Sequence, residues 1–339
     1  MAVVGPRVNR KGESFLLNVF LTVDTELWPR VPVLTGAAIR HAMERDIYGR
    51  TARGEYGIEY QVRTLNEFGL RAVFLVEALS AGAVGVDVLR EIVGVIEGGG
   101  QEVQMHVHPE WLKHVGGGEL PQFAGPGMKD YTLAEQSALI ARGLFNLAQA
   151  GVGRVQAFRA GGYGANLDTL GALAQNGIAF DTSYNHAWLG VTCDIKCPLP
   201  LHQAARINGM VEVPVSHFRD YPGHVRHAEI CACSSGEMQR AIEQAWRRGW
   251  RSFVIVSHSF ELLQPRREPG RAAMPARVSV GRFQRLCEYL AANRDRYRTT
   301  GFADLAPDAL VAQPPQSGLT GSMFRTGWRM AEQLAGRWL

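Results

Sequence analysis

A chain of 339 residues, 46% of them hydrophobic, can bury a large core as one α/β barrel or as two smaller domains. Its formal net charge of +4 is mild, and its basic residues, nearly all arginine, are scattered rather than striped, which excludes a nucleic-acid footprint. No stretch approaches the ~20 apolar residues that span a bilayer. Residues 1–14 do not resemble a secretory signal, and five cysteines without one fit reduced thiols, so the cytoplasm is the expected location.

In chain order, Ser14–Val23 reads as a buried strand that ends in Asp24-Thr25-Glu26, two acids on one face. Ile58–Phe68 has helical spacing and stops at Gly69; Arg71–Val76 reads as the next buried strand. Val88–Glu97 is helical and is ended by Gly98-Gly99-Gly100. The strand Glu102–Val107 follows and delivers His106 and His108, whose one-residue spacing turns both imidazoles to one side. Thr132 and Glu135 form a capping box that opens a helix to Ala150. Val155–Phe158 leads into Arg159 and the segment Gly162-Tyr163-Gly164, and Ile178–Ser183 carries Asp181. Val211–Val215 is expected at an edge or rim, because Pro214 cannot donate to a ladder. Ser234 and Glu237 cap a further helix, Ser252–Val256 is a buried strand delivering His258, residues 264–277 read as an exposed loop, and Val280–Asn293 is helical.

Alternating strands and helices predict a parallel sheet or barrel. Asp24 and Glu26, His106 and His108, Arg159, Asp181 and His258 each stand just after an apolar strand, and in such barrels the C-terminal strand ends converge on one face. Two imidazoles and a carboxylate with one open position form a hydrolytic zinc site. A second carboxylate can take a proton from water and an opposed histidine can protonate a leaving group, so the set suits hydrolysis of an ester or amide. Asp181 is expected to pair with His258 and favour its imidazolium form. Trp111, Tyr163, Tyr184 and Trp188 lie near these ends, where an exposed ring can stack on a sugar.

The order Thr22-Val23-Asp24, the histidine pair, Phe158-Arg159 with Tyr163-Gly164, Asp181-Thr182-Ser183 and Val256-Ser257-His258 resembles the five motifs of the polysaccharide deacetylases (NodB homology, carbohydrate esterase family 4) over residues 15–305. The resemblance implies a distorted (β/α)7 barrel, a divalent metal that is usually zinc, and removal of N- or O-linked acetyl groups from a sugar or polysaccharide precursor. It implies Asp24 as catalytic base, Arg159 as the group orienting it, Asp181 as partner of the acid, and His258 as that acid. It also implies that backbone near Gly162 and Tyr163 helps bind the oxyanion. Thr25 stands where the family has a second, metal-binding aspartate, and the family's histidines are separated by three residues where His106 and His108 are separated by one. Two assignments stay open: Glu26 as ligand with Asp24 as base, or Asp24 as ligand with Glu26 as base. Within the family the form resembles proteins of bacterial surface-polysaccharide gene sets. Hydrolysis of a non-sugar amide and glycan binding without catalysis are the competing readings.

Cys193-x3-Cys197 and Cys231-Ala232-Cys233 match no common zinc spacing. Domain bounds follow as 1–310 for the barrel and 311–339 for a linker and a basic amphipathic helix. On that helix Phe324, Trp328, Ala331, Leu334 and Trp338 share one stripe, a face for the barrel, a partner protein or a membrane surface.

Overall fold

The structure, a computed structural model, describes residues 15–28, 30–31, 33–115, 120–198, 200–264, 273–312 and 317–335. Its central sheet runs, from one edge to the other, Ser252–His258, Leu17–Thr25, Val73–Glu77, Glu102–Val107, Ala157–Ala160, Phe180–Asp181, Met210–Glu212 and Ala205–Ile207. Each neighbouring pair is parallel except the last, and Tyr297–Thr299 lies parallel to the start of Leu17–Thr25. The sheet curls so that its two edges approach. There Ser216 and the segment 228–230 are joined to the opposite edge, the Ser216 amide donating to the Val254 carbonyl at 3.2 Å, the Val256 amide to the Ala228 carbonyl at 2.8 Å and the Ile230 amide to the Val256 carbonyl at 3.1 Å. This is the distorted barrel that the strand–helix alternation and the motif order imply.

Strand parity decides what each residue does. In Leu17–Thr25, Val19, Leu21 and Val23 face outward into the core shared with the helices. Phe20 faces inward, where it meets Val73, Leu75, Phe180, Val254 and Phe302. Both faces are therefore apolar, which is why these strands read as unbroken hydrophobic runs. Each fully buried Leu, Ile or Phe contributes roughly 1.5–3 kcal/mol. Outside, helices Ile58–Glu67, Val86–Gly98, Leu133–Gln149 and Leu167–Gln175 succeed one another around the sheet. Arg277–Ala291 and Ser235–Arg247 continue the ring from Ile58–Glu67 on its other side. The capping boxes at Thr132 and Ser234 are both formed, each hydroxyl accepting from the amide three residues on.

Beyond the sheet, a hairpin of His217–Tyr221 and His224–His227 pairs with Leu319–Thr320. The C-terminal helix Met323–Ala335 lies on this hairpin and on helix Ser235–Arg247. Trp338 and Arg337 lie outside the described residues, as do most of the expected loop, 265–272. No helix among the described residues is long and apolar enough to cross a membrane.

Candidate metal and hydrolytic site

Inward parity continues past the strand ends. After Phe20 and Thr22 comes Asp24, after Gln104 come His106 and His108, after Ala157 comes Arg159, and after Val254 and Val256 comes His258. Sheet register brings Asp24 beside His258, Glu77 beside His106, and His106 beside Arg159. All of these side chains are nearly or wholly buried except that of His258, which keeps 23% exposure.

Glu26 is the carboxylate that faces the histidine pair. Its Oε1 lies 3.2 Å from His106 Nε2 and 3.8 Å from His108 Nε2, while its Oε2 accepts from Trp28 Nε1 at 2.7 Å. Asp24 faces elsewhere: its Oδ1 accepts from Arg159 Nη1 at 2.6 Å. Arg159 also donates to Thr22 Oγ1 and to the carbonyl and hydroxyl of Thr182, so every arm of the guanidinium is fixed. Burial works against the charged form of Glu26, but the hydrogen bond from His106 and the nearby His108 and His258 outweigh it and hold its carboxyl well below the usual carboxylate range. Burial pushes His108 down to about 4, a neutral ring with a free lone pair.

Ligand atoms from Glu26, His106 and His108 all lie within 4.8 Å of one another, and so do those of Asp24, Glu26 and His258. Tetrahedral bonds of ~2.1 Å require ligand–ligand edges of about 3.4 Å, which the 3.2 and 3.8 Å separations bracket. The donor set, one carboxylate and two imidazoles, is also that of hydrolytic zinc sites. These residues fit a divalent cation.

Glu77, one residue beyond the expected strand, is the support for this group. Its carboxylate accepts from the amides of His108 at 2.7 Å and Leu79 at 2.8 Å, and it stands 3.5 Å from His108 Nδ1. A carboxylate behind the distal ring nitrogen is the usual way a metal-binding histidine is held. On the other side of His108 is Gly161, where a Cβ would lie 2.1 Å from the imidazole Cδ2. Glycine here is a requirement of close approach. Gly162 and Tyr163 follow with φ of +56° and +61°, the second a left-handed backbone that costs a non-glycine residue on the order of 1–3 kcal/mol.

The Asp181–His258 pair expected from sequence is not formed. Phe180 points into the barrel, so Asp181 points out of it, toward Glu212 on the next strand and Ser183 Oγ at 2.7 Å. Burial raises both carboxyl groups, that of Glu212 well above the usual carboxylate range with Asp181 beside it. The partners of His258 are Glu261, whose Oε2 is 3.3 Å from Nδ1 and accepts from the His258 amide at 2.9 Å, and Glu229, 3.6 Å from Nδ1. Against burial, Glu261, Glu26 and Asp24 raise His258 to about 10, so the ring is an imidazolium at neutral pH.

Trp111 and Tyr184 do not offer sugar platforms either. Trp111 is 1% exposed and stacks on Trp28 with ring centroids 5.7 Å apart, and Tyr184 is fully buried. Trp28, half-buried and edge-on to His108, is the aromatic nearest the donors, and Trp188 is exposed. Tyr163 is half-buried, with its ring edge-on to His227. Sequence reasoning missed Glu77, Trp28, Glu229 and Glu261. Only Glu77 carried the signal used elsewhere, an acid at the end of an apolar strand.

No protein-family model and no curated protein matches this chain. Among solved structures, a provisionally assigned polysaccharide deacetylase from Mycobacterium smegmatis matches with a TM-score of 0.55 at 16% identity, covering 93% of this chain and 99% of that one. A family 4 carbohydrate esterase from Streptomyces lividans in complex with acetate matches with a TM-score of 0.44 at 15% identity, over 89% of this chain and 100% of that one. A family 4 pseudoenzyme from Bacillus anthracis matches with a TM-score of 0.42 at 9% identity, over 88% and 67%. The first of these carries the assignment: this chain has the NodB-like polysaccharide deacetylase fold.

Proposed function

We propose that the protein is a metal-dependent hydrolase that removes an N- or O-linked acetyl group from a sugar or polysaccharide precursor. The observation that supports it most is the convergence of Glu26 Oε1, His106 Nε2 and His108 Nε2, with Asp24 and His258 beside them. In this reading Glu26, His106 and His108 hold the cation, for which zinc suits the donors best. When bound, it polarises the acyl carbonyl and lowers the pKa of water toward ~7.

The chain's own groups do the proton work. Asp24, fixed by Arg159, takes the proton from the attacking water. His258, cationic between Glu261 and Glu229, protonates the leaving nitrogen or oxygen. Backbone near Gly162 and Tyr163 receives the developing oxyanion. Asp181 has no part in the acid. Of the two assignments left open by the sequence, this one makes Glu26 the ligand, because Asp24 is already engaged by Arg159.

A hydrolase of a non-sugar amide would use the same groups. The burial of Trp111 and Tyr184 favours it to that extent, by removing two aromatic surfaces that a sugar would stack on. The test is metal analysis of the purified chain with His106→Ala and His108→Ala, followed by acetate release from acetylated amino sugars set against cyclic and formyl amides. About one zinc per chain, lost in both variants, is expected; variants that keep it overturn the site. Acetate release that falls ~10²–10⁴-fold in His258→Ala excludes a binding-only barrel.

A further inference from the structure

The C-terminal helix is docked the wrong way round for a helix that completes a core. Its inward side is polar. Arg329, 3% exposed, pairs with Asp220 at 3.2 Å and with Glu237 at 3.2 Å, and Thr326 donates to Glu237 at 3.2 Å. Glu332 accepts from the buried Arg282 at 2.5 Å. Its outward side is Met323, Phe324, Trp328, Met330 and Leu334, from 47% to 83% exposed, with Gly327 and Ala331 between them. At 100° per residue these seven positions fill one continuous arc, and none is charged.

A cluster of large apolar residues exposed on one face marks an interaction surface. The described residues do not cover it. The longer segments outside them carry no comparable apolar stripe: residues 116–119, 265–272 and 313–316 have no large apolar side chain, 1–14 carry only scattered valines among arginine, lysine and glutamate, and 336–339 add only Trp338 and Leu339. A second copy is a poor fit by size. A 13-residue helix is about 20 Å long and about 10 Å wide, or roughly 200 Å² of footprint, against ~800 Å² per partner in a stable protein interface. An interfacial lipid layer needs no more than one such face, with Trp and Phe sunk to the acyl boundary. At its margin stand Glu332, which is paired with Arg282 and Arg285, and Arg325, whose guanidinium donates to the Gly236 carbonyl, so the arginines there outnumber the acid.

We propose that the arc of Phe324, Trp328 and Leu334 seats the protein on an anionic lipid surface, with the helix held rigid by the Arg329 ion pairs. It is a docking surface without a membrane span, and it does not depend on the hydrolase reading. The hairpin under the helix also ends at His227, whose ring meets Tyr163 beside the metal-type cluster, so the seated face and the site share one support.

The experiment is flotation of the full chain with vesicles of phosphatidylcholine and phosphatidylglycerol, together with quenching of tryptophan fluorescence by brominated acyl chains, the share due to Trp328 taken as the difference from Trp328→Phe. Binding with quenching is expected, reduced about tenfold or more in Phe324→Asp and in Trp328→Asp, both exposed positions whose change leaves the melting temperature unaltered. Absence of binding by the intact chain, or equal binding by the variants, overturns the proposal. A dimer in light scattering that these variants dissolve, without vesicle binding, overturns it too and gives the face to a second copy.

Discussion

The buried charge at the strand ends and the buried charge under the C-terminal helix are closed to opposite degrees. Under the helix, each oxygen of Asp220 and Glu237 has at least two donors. Asp220 receives His224, the Tyr221 amide, Arg226 and Arg329, and Glu237 receives Ser234, Thr326 and Arg329. At the strand ends, Glu26 Oε1 meets only two ring nitrogens, His106 Nε2 and His108 Nε2. A structural ion cluster saturates itself. A site leaves lone pairs converging on a common point, and that difference, rather than the number of charges, separates the two.

The contrast can be broken most severely from the structural side. Arg329→Met leaves the buried Glu237 without its cation, while Asp220 keeps Arg226 and His224, and is expected to cost about 3–5 kcal/mol of stability in urea unfolding, with zinc content unchanged. Loss of zinc without loss of stability would invert the comparison. At the strand ends the expected effects fall on the cation. Glu77→Gln weakens zinc binding about 10–100-fold by titration with a competing chelator, and, because its NH2 meets one of the two backbone amides that Glu77 accepts from, costs about 1–3 kcal/mol of stability. Gly161→Ala drives a methyl into the His108 ring and lowers zinc affinity in the same direction. If zinc binding survives both changes, His108 is not a ligand.

A smaller effect separates histidines by region. His217, stacked between His186 and His202, is pushed by burial down to about 3 from its usual 6.5. A base depressed in the folded state adds stability that is complete above 6.5 and is lost as pH falls toward 3, because the unfolded chain binds the proton first. The slope from this one ring is at most ~1.4 kcal/mol per pH unit. His217→Gln flattens the fall in unfolding midpoint between pH 6.5 and 4; an unchanged slope assigns the acid sensitivity elsewhere.

Much of the barrel was legible because its strands are buried on both faces and so read as apolar runs, each with a polar residue at its end. The inward parity of Asp24, Glu26, His106 and His108 followed from spacing alone. Asp181 shows where this stops: a strand end identifies a candidate, but one residue of phase decides its face, and Phe180 had taken the inward place. Glu229 and Glu261 lie in short irregular segments without a period to betray them. The apolar stripe of Phe324, Trp328 and Leu334 was visible too. Which side of that helix docks depended on Glu237 and Asp220, 92 and 109 residues before Arg329 in sequence.

The strand order also acts as a ruler. Leu17–Thr25 and Glu102–Val107 are not neighbours; Val73–Glu77 runs between them. With ~4.8 Å per strand, a donor at the end of the first must bridge about 9.6 Å to share an ion with two imidazoles on the third. Glutamate carries its carboxylate one methylene farther than aspartate. The acid two places along from Asp24 therefore has a length that the gap itself selects, and the shorter Asp24 is left within reach of the arginine.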